Sequence, residues 1–200
     1  GPAKTAPPQP RKAKPLAAFM HDSEGPGGER LGSILYDELL AEGDPAYTAN
    51  FPRDEWDAIS LNYTSGTTGD PKGVVYHHRG AYLNSLSNLI GWDMGHHPVY
   101  LWTLPMFHCN GWCFPLSLGA VAGTSVCLRK VDAANIYSAI GDYEVTHFCA
   151  APVILNLVVN AATEEKRMLP HTVHVMTAAA PPPAAVLAAM EEAGFSMTHV

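Results

Sequence analysis

Charge is scarce in this chain. Only 16% of its 200 residues are charged, and 12 lysines and arginines face 19 acidic residues, for a formal net charge of −7. No basic stripe follows Lys14, so the electrostatic footprint of a nucleic-acid binder is missing. Cysteine is as sparse: Cys109, Cys113, Cys127 and Cys149 lie in apolar stretches without a spaced framework, and read as reduced core residues of an intracellular protein. Cys109 and Cys113 beside His108 invite a metal reading, but no second Cys/His pair stands at ligand spacing, so no metal site is expected. Long apolar runs are lacking too. Met94 to Leu128 carries no formal charge, yet Pro98, Pro105 and Pro115 interrupt it, and Asn110, Gly111 and Ser117 dilute it. A membrane span needs about 20 consecutive apolar residues, so buried strands and a helix are the better reading. No hydrophobic signal peptide opens the chain. There is no initiating Met, and Gly1-Pro2 reads as a protease scar or an internal cut.

What is present is a core: 47% of residues are hydrophobic, enough for one globular domain of this length. Residues 1–30, rich in Pro, Gly and Ala with Lys4, Arg11, Lys12 and Lys14, read as a flexible lead-in or linker, or else as a basic targeting arm. The folded part is expected over 31–200. Ser33 is placed to cap a short helix over 34–42, ended by Gly43 and Pro45. From Asp57 onward, strands are predicted at 59–63, 73–76, 99–104, 124–128, 145–149, 173–178 and 196–200. Helices are predicted from His78 or Arg79 through Ile90 and near 112–119, 133–142, 153–161 and 183–193. Asp132, Pro152 and the run Pro181-Pro182-Pro183 start three of them. Repeated strand–helix units with apolar strands imply an α/β fold, a mostly parallel sheet with helices on both faces. Ligands bind such sheets at the carboxyl ends of the strands, and the segments after Tyr63, after strand 99–104 and after strand 173–178 are expected to converge there.

The most informative run is Leu61-Asn62-Tyr63-Thr64-Ser65-Gly66-Thr67-Thr68-Gly69-Asp70-Pro71-Lys72-Gly73. Glycines permit positive φ and close backbone approach, so several N–H groups can converge on one anion. The hydroxyls of Thr64, Ser65, Thr67 and Thr68 add donors with little bulk, and Lys72 adds a compact positive charge. The run is not a Walker loop, because Gly73-Val74-Val75 follows the lysine as strand instead of Gly-Lys-Ser/Thr opening a helix. A plain Ser/Thr/Gly hairpin turn accounts for any two or three of these residues, though not for the whole ordered set.

Position by position the run resembles the AMP-binding signature of the adenylate-forming superfamily, which includes acyl-CoA synthetases, luciferases and peptide-synthetase adenylation domains. A second block, Tyr100 to Phe114, contains Pro105-Met106-Phe107-His108-Cys109-Asn110-Gly111 and resembles that superfamily's Pro-x-Phe-His-x-x-Gly motif. With Val74 to Leu83 it is most similar to plant acyl-activating enzymes and bacterial methylmercaptopropionate–CoA ligases. Thr177-Ala178-Ala179-Ala180-Pro181 resembles the Gly-Ala-x-Pro adenine turn, with alanine where glycine is usual.

The resemblance implies part of the large N-terminal domain of an ATP-dependent acyl-CoA ligase. A carboxylate would attack the α-phosphorus of ATP and expel pyrophosphate, and the CoA thiol would then displace AMP. It implies phosphate binding by Thr64, Ser65, Gly66, Thr67, Thr68, Gly69 and Lys72 with Mg²⁺, an acyl-substrate pocket at His108, Asn110 and Gly111, and adenine contacts at Ala178, Ala179 and Ala180. No protein residue is assigned as a metal ligand. His108 either donates to a carboxylate or phosphate oxygen or closes a loop as a core histidine; Trp112 shapes the pocket or is plain core.

The superfamily's Tyr-Gly-x-Thr/Ser-Glu segment, its ribose-binding Asp and the small domain with the catalytic Lys have no counterpart before Val200. Residues 31–200 are therefore expected to be a partial AMP-binding domain, inactive alone. ATP, Mg²⁺ and CoA are the implied cofactors and a small carboxylic acid the implied substrate, with cytoplasmic or peroxisomal placement. An exposed sheet edge offers a route to oligomerisation. The competing readings are a non-catalytic nucleotide-binding remnant and a regulatory or interaction fragment.

Overall fold

The computed structural model of the chain describes residues 36–66, 69–178 and 181–200. The predicted lead-in, Ser33, Thr67, Thr68, Ala179 and Ala180 lie outside the described residues. The chain divides into two units, Gly1–Asn50 and Phe51–Val200. The first contains α1 (Tyr36–Ala41), with Asp37 and Glu38 in its first turn. Acidic residues there complement the helix dipole.

The second unit holds two sheets. Strands β1 (Ala58–Thr64) and β2 (Lys72–His77) form an antiparallel hairpin of their own, in which Thr64 faces Lys72 and Tyr63 faces Gly73. Strands β3 (Val99–Trp102), β4 (Thr124–Cys127), β5 (His147–Cys149), β6 (Val173–Thr177) and β7 (Phe195–His199) form the other sheet, in the order β4-β3-β5-β6-β7. All four of its strand pairs are parallel.

Alternation along these strands sends side chains to two cores. Leu101, Phe148 and Val175 pack with Ile136 and Ile140 of α5 (Ala133–Tyr143), Leu155 of α6 (Pro152–Val159) and Met190 of α7 (Ala184–Glu192). Their neighbours Tyr100, Trp102, Cys149 and Met176 point the other way, against Trp92 and against Phe114 and Leu118 of α4 (Phe114–Ala120). Helices therefore cover both faces, as the apolar, non-alternating strands require.

Local signals explain where the helices begin. Helix α2 (His78–Gly91) is capped by His77, whose ring nitrogen Nδ1 accepts from the Gly80 N–H at 2.9 Å. It meets α4 through small residues: Ser117 Oγ donates to the Ser85 carbonyl at 3.0 Å, and Ser85 Oγ donates to the Ala81 carbonyl at 2.7 Å. In α5, Asp132 is the N-cap and accepts from the Asn135 N–H at 2.9 Å. That bond, followed by the neighbouring Lys130, holds the Asp132 carboxyl below its usual range. Replacing Asp132 with alanine is expected to lower unfolding stability by about 1 kcal/mol, read as a shift in the urea midpoint at constant slope.

One expectation is corrected here. The glycine- and hydroxyl-rich turn belongs to the separate hairpin and not to the carboxyl edge of the parallel sheet; β1 and β2 pair with each other and supply no strand to it. The helix expected near 112–119 is α4, and the short element before it, α3 (Cys109–Trp112), is set off from it by Cys113 at φ +63°.

Candidate functional site

The motif after β3 folds into an uncommon shape. The segment from Cys109 to Cys113 runs through φ values of +50°, +51°, +58°, +56° and +63°, five left-handed residues in a row. Only Gly111 adopts this region without cost; each L-residue there loses roughly 1–2 kcal/mol. Such a turn persists only where its surroundings over-determine it, and such strain collects at functional sites.

The surroundings do so from three sides. Asn110 Nδ2 donates to Ser60 Oγ at 3.1 Å, and Asn62 Nδ2 donates to Asn110 Oδ1 at 2.9 Å and to the Phe107 carbonyl at 3.3 Å. Strand β1 thus grips the turn by both ends of one amide. From α2, Asn88 Nδ2 donates to the Trp112 carbonyl at 2.7 Å. From β3, the Trp102 ring lies under Gly111 so closely that an added Cβ would sit 2.7 Å from it. Downstream, Ser117 Oγ bonds the Cys113 carbonyl at 3.3 Å.

The exit of β3 is anchored as well. Thr103 Oγ1 donates to the Cys149 carbonyl at the end of β5. Beyond it, Trp102, Leu104, Pro105 and Met106 join Cys127, Leu128 and Val131 around a largely apolar cavity of about 300 Å³. This cavity sits at the carboxyl ends of β3 and β4, where a parallel sheet offers space for a ligand. His108 lies two residues beyond the cavity wall and is exposed, its Nε2 3.7 Å from Cys109 Sγ.

At the hairpin, Thr64, Ser65 and Lys72 are exposed, and Gly66 has φ +69°. A Cβ on Gly66 would come within 2.9 Å of the Asp70 carbonyl oxygen, so the turn curls tightly enough to need glycine. Lys72 forms no ion pair among the described residues. An exposed lysine beside free hydroxyls is a donor set suited to an anion. Mg²⁺ takes oxygen ligands and usually travels with substrate phosphates; among the described residues no group of His, Cys, Asp and Glu side chains forms a metal cage. The donor set therefore fits a metal carried in on phosphate oxygens.

The predicted residues are brought together only in part. Asn110 and Gly111 lie in the strained turn and His108 directly precedes it; β1 of the hairpin grips Asn110, so this segment and the lead-in to the hydroxyl-rich turn form one substructure. Ala178 follows β6 and is half-buried, while Ala179 and Ala180 lie outside the described residues. Next to it, Thr177 is fully buried, and its Oγ1 has no hydrogen-bond partner among the described residues. The cysteine expectation holds in part. All four are free thiols, but Cys109 and Cys127 are exposed and not core. Sequence reasoning missed Ser60, Asn62 and Asn88. Two asparagines within strand and helix patterns, where asparagine is poorly suited, are the signal that could have drawn attention to them.

An acetate/butyrate–CoA ligase of Arabidopsis thaliana, named as peroxisomal, is 60% identical over 169 residues, which cover 84% of this chain but 30% of that protein. Among solved structures, the inhibitor-bound N-terminal domain of FACL13 from Mycobacterium tuberculosis matches with a TM-score of 0.74 at 26% identity, covering 82% of this chain and 42% of that one. The o-succinylbenzoate–CoA synthetase of Bacillus subtilis in complex with AMP matches with a TM-score of 0.65 at 25% identity, covering 80% of this chain and 41% of that one. This chain therefore spans about a third of the length of the curated relative. The sequence model described as AMP-binding enzyme matches residues 11–200, and the chain belongs to that family.

Proposed function

We propose that the chain is the nucleotide-gripping part of an ATP-dependent acyl-CoA ligase that activates a small carboxylic acid and transfers it to CoA. The observation that carries this reading is the joint between hairpin and turn. Ser60 and Asn62 of β1 hold Asn110, and β1 runs on into the exposed Thr64 and Ser65 opposite Lys72. A rigid link of this kind sets a phosphate-binding turn at a constant position relative to His108, and positioning is most of what phosphoryl-centre chemistry asks of a protein.

In this reading Thr64, Ser65, Gly66, Thr67, Thr68, Gly69 and Lys72 hold the β- and γ-phosphates of ATP, with Mg²⁺ on the same oxygens. His108 donates to the carboxylate or α-phosphate oxygen as charge builds there. Asn110 and Gly111 shape the acyl site, and the apolar cavity behind Met106 takes the tail of the acid. Ala178, Ala179 and Ala180 approach the adenine. A short aliphatic acid is favoured by the acetate/butyrate specificity in the name of the Arabidopsis relative; a medium-chain or aromatic acid is the broader class. That relative also supports a peroxisomal location over a cytoplasmic one. Residues 31–200 act as part of an AMP-binding domain that does not turn over alone, with residues 1–30 as lead-in. Self-association would use the outer edge of β7, which among the described residues pairs only with β6.

The test is ATP binding by the chain itself. Lys72→Ala is expected to weaken ATP affinity about tenfold in calorimetry with Mg²⁺ present, the value of one well-placed charge-assisted contact. Unchanged affinity would favour an interaction fragment that does not use this turn for nucleotide. Carboxylate-dependent pyrophosphate exchange by the 200 residues alone would overturn the assignment of the chain as incomplete.

A further inference from the structure

Asn62 contacts no ligand in the site proposed above, yet its side-chain amide is engaged on both sides of His108. Its Nδ2 donates to the Phe107 carbonyl at 3.3 Å and to Asn110 Oδ1 at 2.9 Å. One side chain thus brackets the histidine, from the residue before it to the second residue after. The bonds that His108 makes through its own N–H and carbonyl, to Pro105 and Gly111, stay within the same segment. Its imidazole is exposed, with Cys109 Sγ at 3.7 Å. Where the ring stands therefore depends on how its backbone is held, and Asn62 is the tie to another element.

That element is weakly supported at its far end. Two rungs separate Asn62, which faces Val74, from the hydroxyl-rich turn: Tyr63 faces Gly73 and Thr64 faces Lys72. A two-stranded hairpin is marginal in water unless further strands or a packed face support it, and among the described residues β1 and β2 pair only with each other. Ser60 and Asn62 anchor one face to Asn110. On the opposite face Leu61, Tyr63 and Val75 are exposed, as are Thr64, Ser65 and Lys72 at the turn. A ligand held by Thr64 and Ser65 on one strand and by Lys72 on the other ties the strands together there. Fraying that would otherwise run down the ladder to Asn62 is then suppressed.

We propose that Asn62 is a positioning residue that makes the order of the His108 segment depend on whether the phosphate turn is occupied. With the hairpin zipped, Asn62 meets Phe107 and Asn110 and the acyl side of the site is set. With it frayed, both bonds go together. The turn then relaxes, because Cys109, Asn110, Trp112 and Cys113 are L-residues held at positive φ against their own preference. Two places on the protein bias one element, so each ligand tightens the other by the same factor. Two anions repel, so a gain in affinity comes only through the shared scaffold. The assignment of phosphate to one place and acid to the other rests on the ligase reading; the coupling between them is the added claim.

The experiment is calorimetric titration of the 200-residue chain with butyrate, alone and at saturating magnesium pyrophosphate, a probe for the phosphate turn that carries no adenine. Butyrate is expected to bind about tenfold tighter with pyrophosphate present, and pyrophosphate about tenfold tighter with butyrate present. Asn62→Ala should bring both factors to about one. Asn62→Asp should do the same, since it keeps the size but has no hydrogens to donate. Titration of each variant with each ligand alone separates lost coupling from lost fold. Independent binding of the two ligands to the parent, or a factor that survives in both variants, would overturn the proposal and leave the ligase reading standing. A parent that fails to bind one of the two ligands would overturn both.

Discussion

Gly111→Ala is expected to destabilise the chain by about 3 kcal/mol. The added methyl must enter the left-handed region at φ +58°, a cost of roughly 1–2 kcal/mol for an L-residue. It must also displace the Trp102 ring, whose atoms lie 2.7 and 3.0 Å from the new carbon, and overpacking of this kind costs about 1–3 kcal/mol. Trp102 cannot yield freely, because it is buried among Tyr100, Phe114 and Met176 and stacks edge-on against Tyr100 at 4.9 Å. Urea unfolding of the variant reads the effect. Gly119 in α4 is the control: an added Cβ there meets nothing within 4 Å, and alanine in a helix is worth up to about 1 kcal/mol over glycine. A Gly111→Ala midpoint equal to that of the parent would mean the left-handed turn is not maintained in solution, and the assignment of His108 and Asn110 to one site would fail with it.

The second large effect is on pH dependence. His147 begins β5, is 9% exposed, stacks on His174 of β6 with ring centroids 5.0 Å apart, and meets the Trp92 edge at 5.0 Å. Burial, helped by the His174 ring, lowers its pKa from about 6.5 to about 4. Because the folded value lies below the unfolded one, the unfolded chain binds the extra proton between these limits. The contribution to stability is thus complete above pH 6.5 and is lost as pH falls towards 4. At 1.36 kcal/mol per pKa unit this amounts to about 3 kcal/mol in all, of which about 2 should be gone by pH 5. His147→Phe keeps a ring against Trp92 and removes the titration, so the difference between parent and variant should shrink steadily from pH 5 to pH 7. Parallel stability curves across that range would show that His147 is not neutral by burial.

Much of the scaffold was legible because its signals are local. Asp132, Pro152 and the proline run before Ala184 mark helix starts that the structure places within a residue or so of expectation. Strands such as Val173–Thr177 were recognisable as interior because they are short, mostly apolar and free of Asp, Glu, Lys and Arg. The left-handed turn that precedes α4 escaped the sequence for a physical reason. Helical spacing continues through Cys113, but positive φ at five successive residues is set by contacts with Ser60, Asn62 and Asn88, between 24 and 50 positions away in sequence. The misplaced turn has a similar cause. Strand composition says that residues 58–64 are extended, yet whether they join the parallel sheet or pair with the next strand depends on what else is available to pair. A short intervening turn makes the hairpin partner the nearer one.

The order of residues by itself determined the elements, the two-sided parallel sheet and the family, since periodicity, capping and a long ordered motif need no distant partner to be read. Tertiary structure alone decided that the hairpin stands apart from that sheet, that one asparagine amide joins it to the His108 turn, and that a thiol is left exposed beside an imidazole. These are outcomes of side chains meeting across long stretches of chain, where the free energy resides in contact geometry and not in the local preference of any residue.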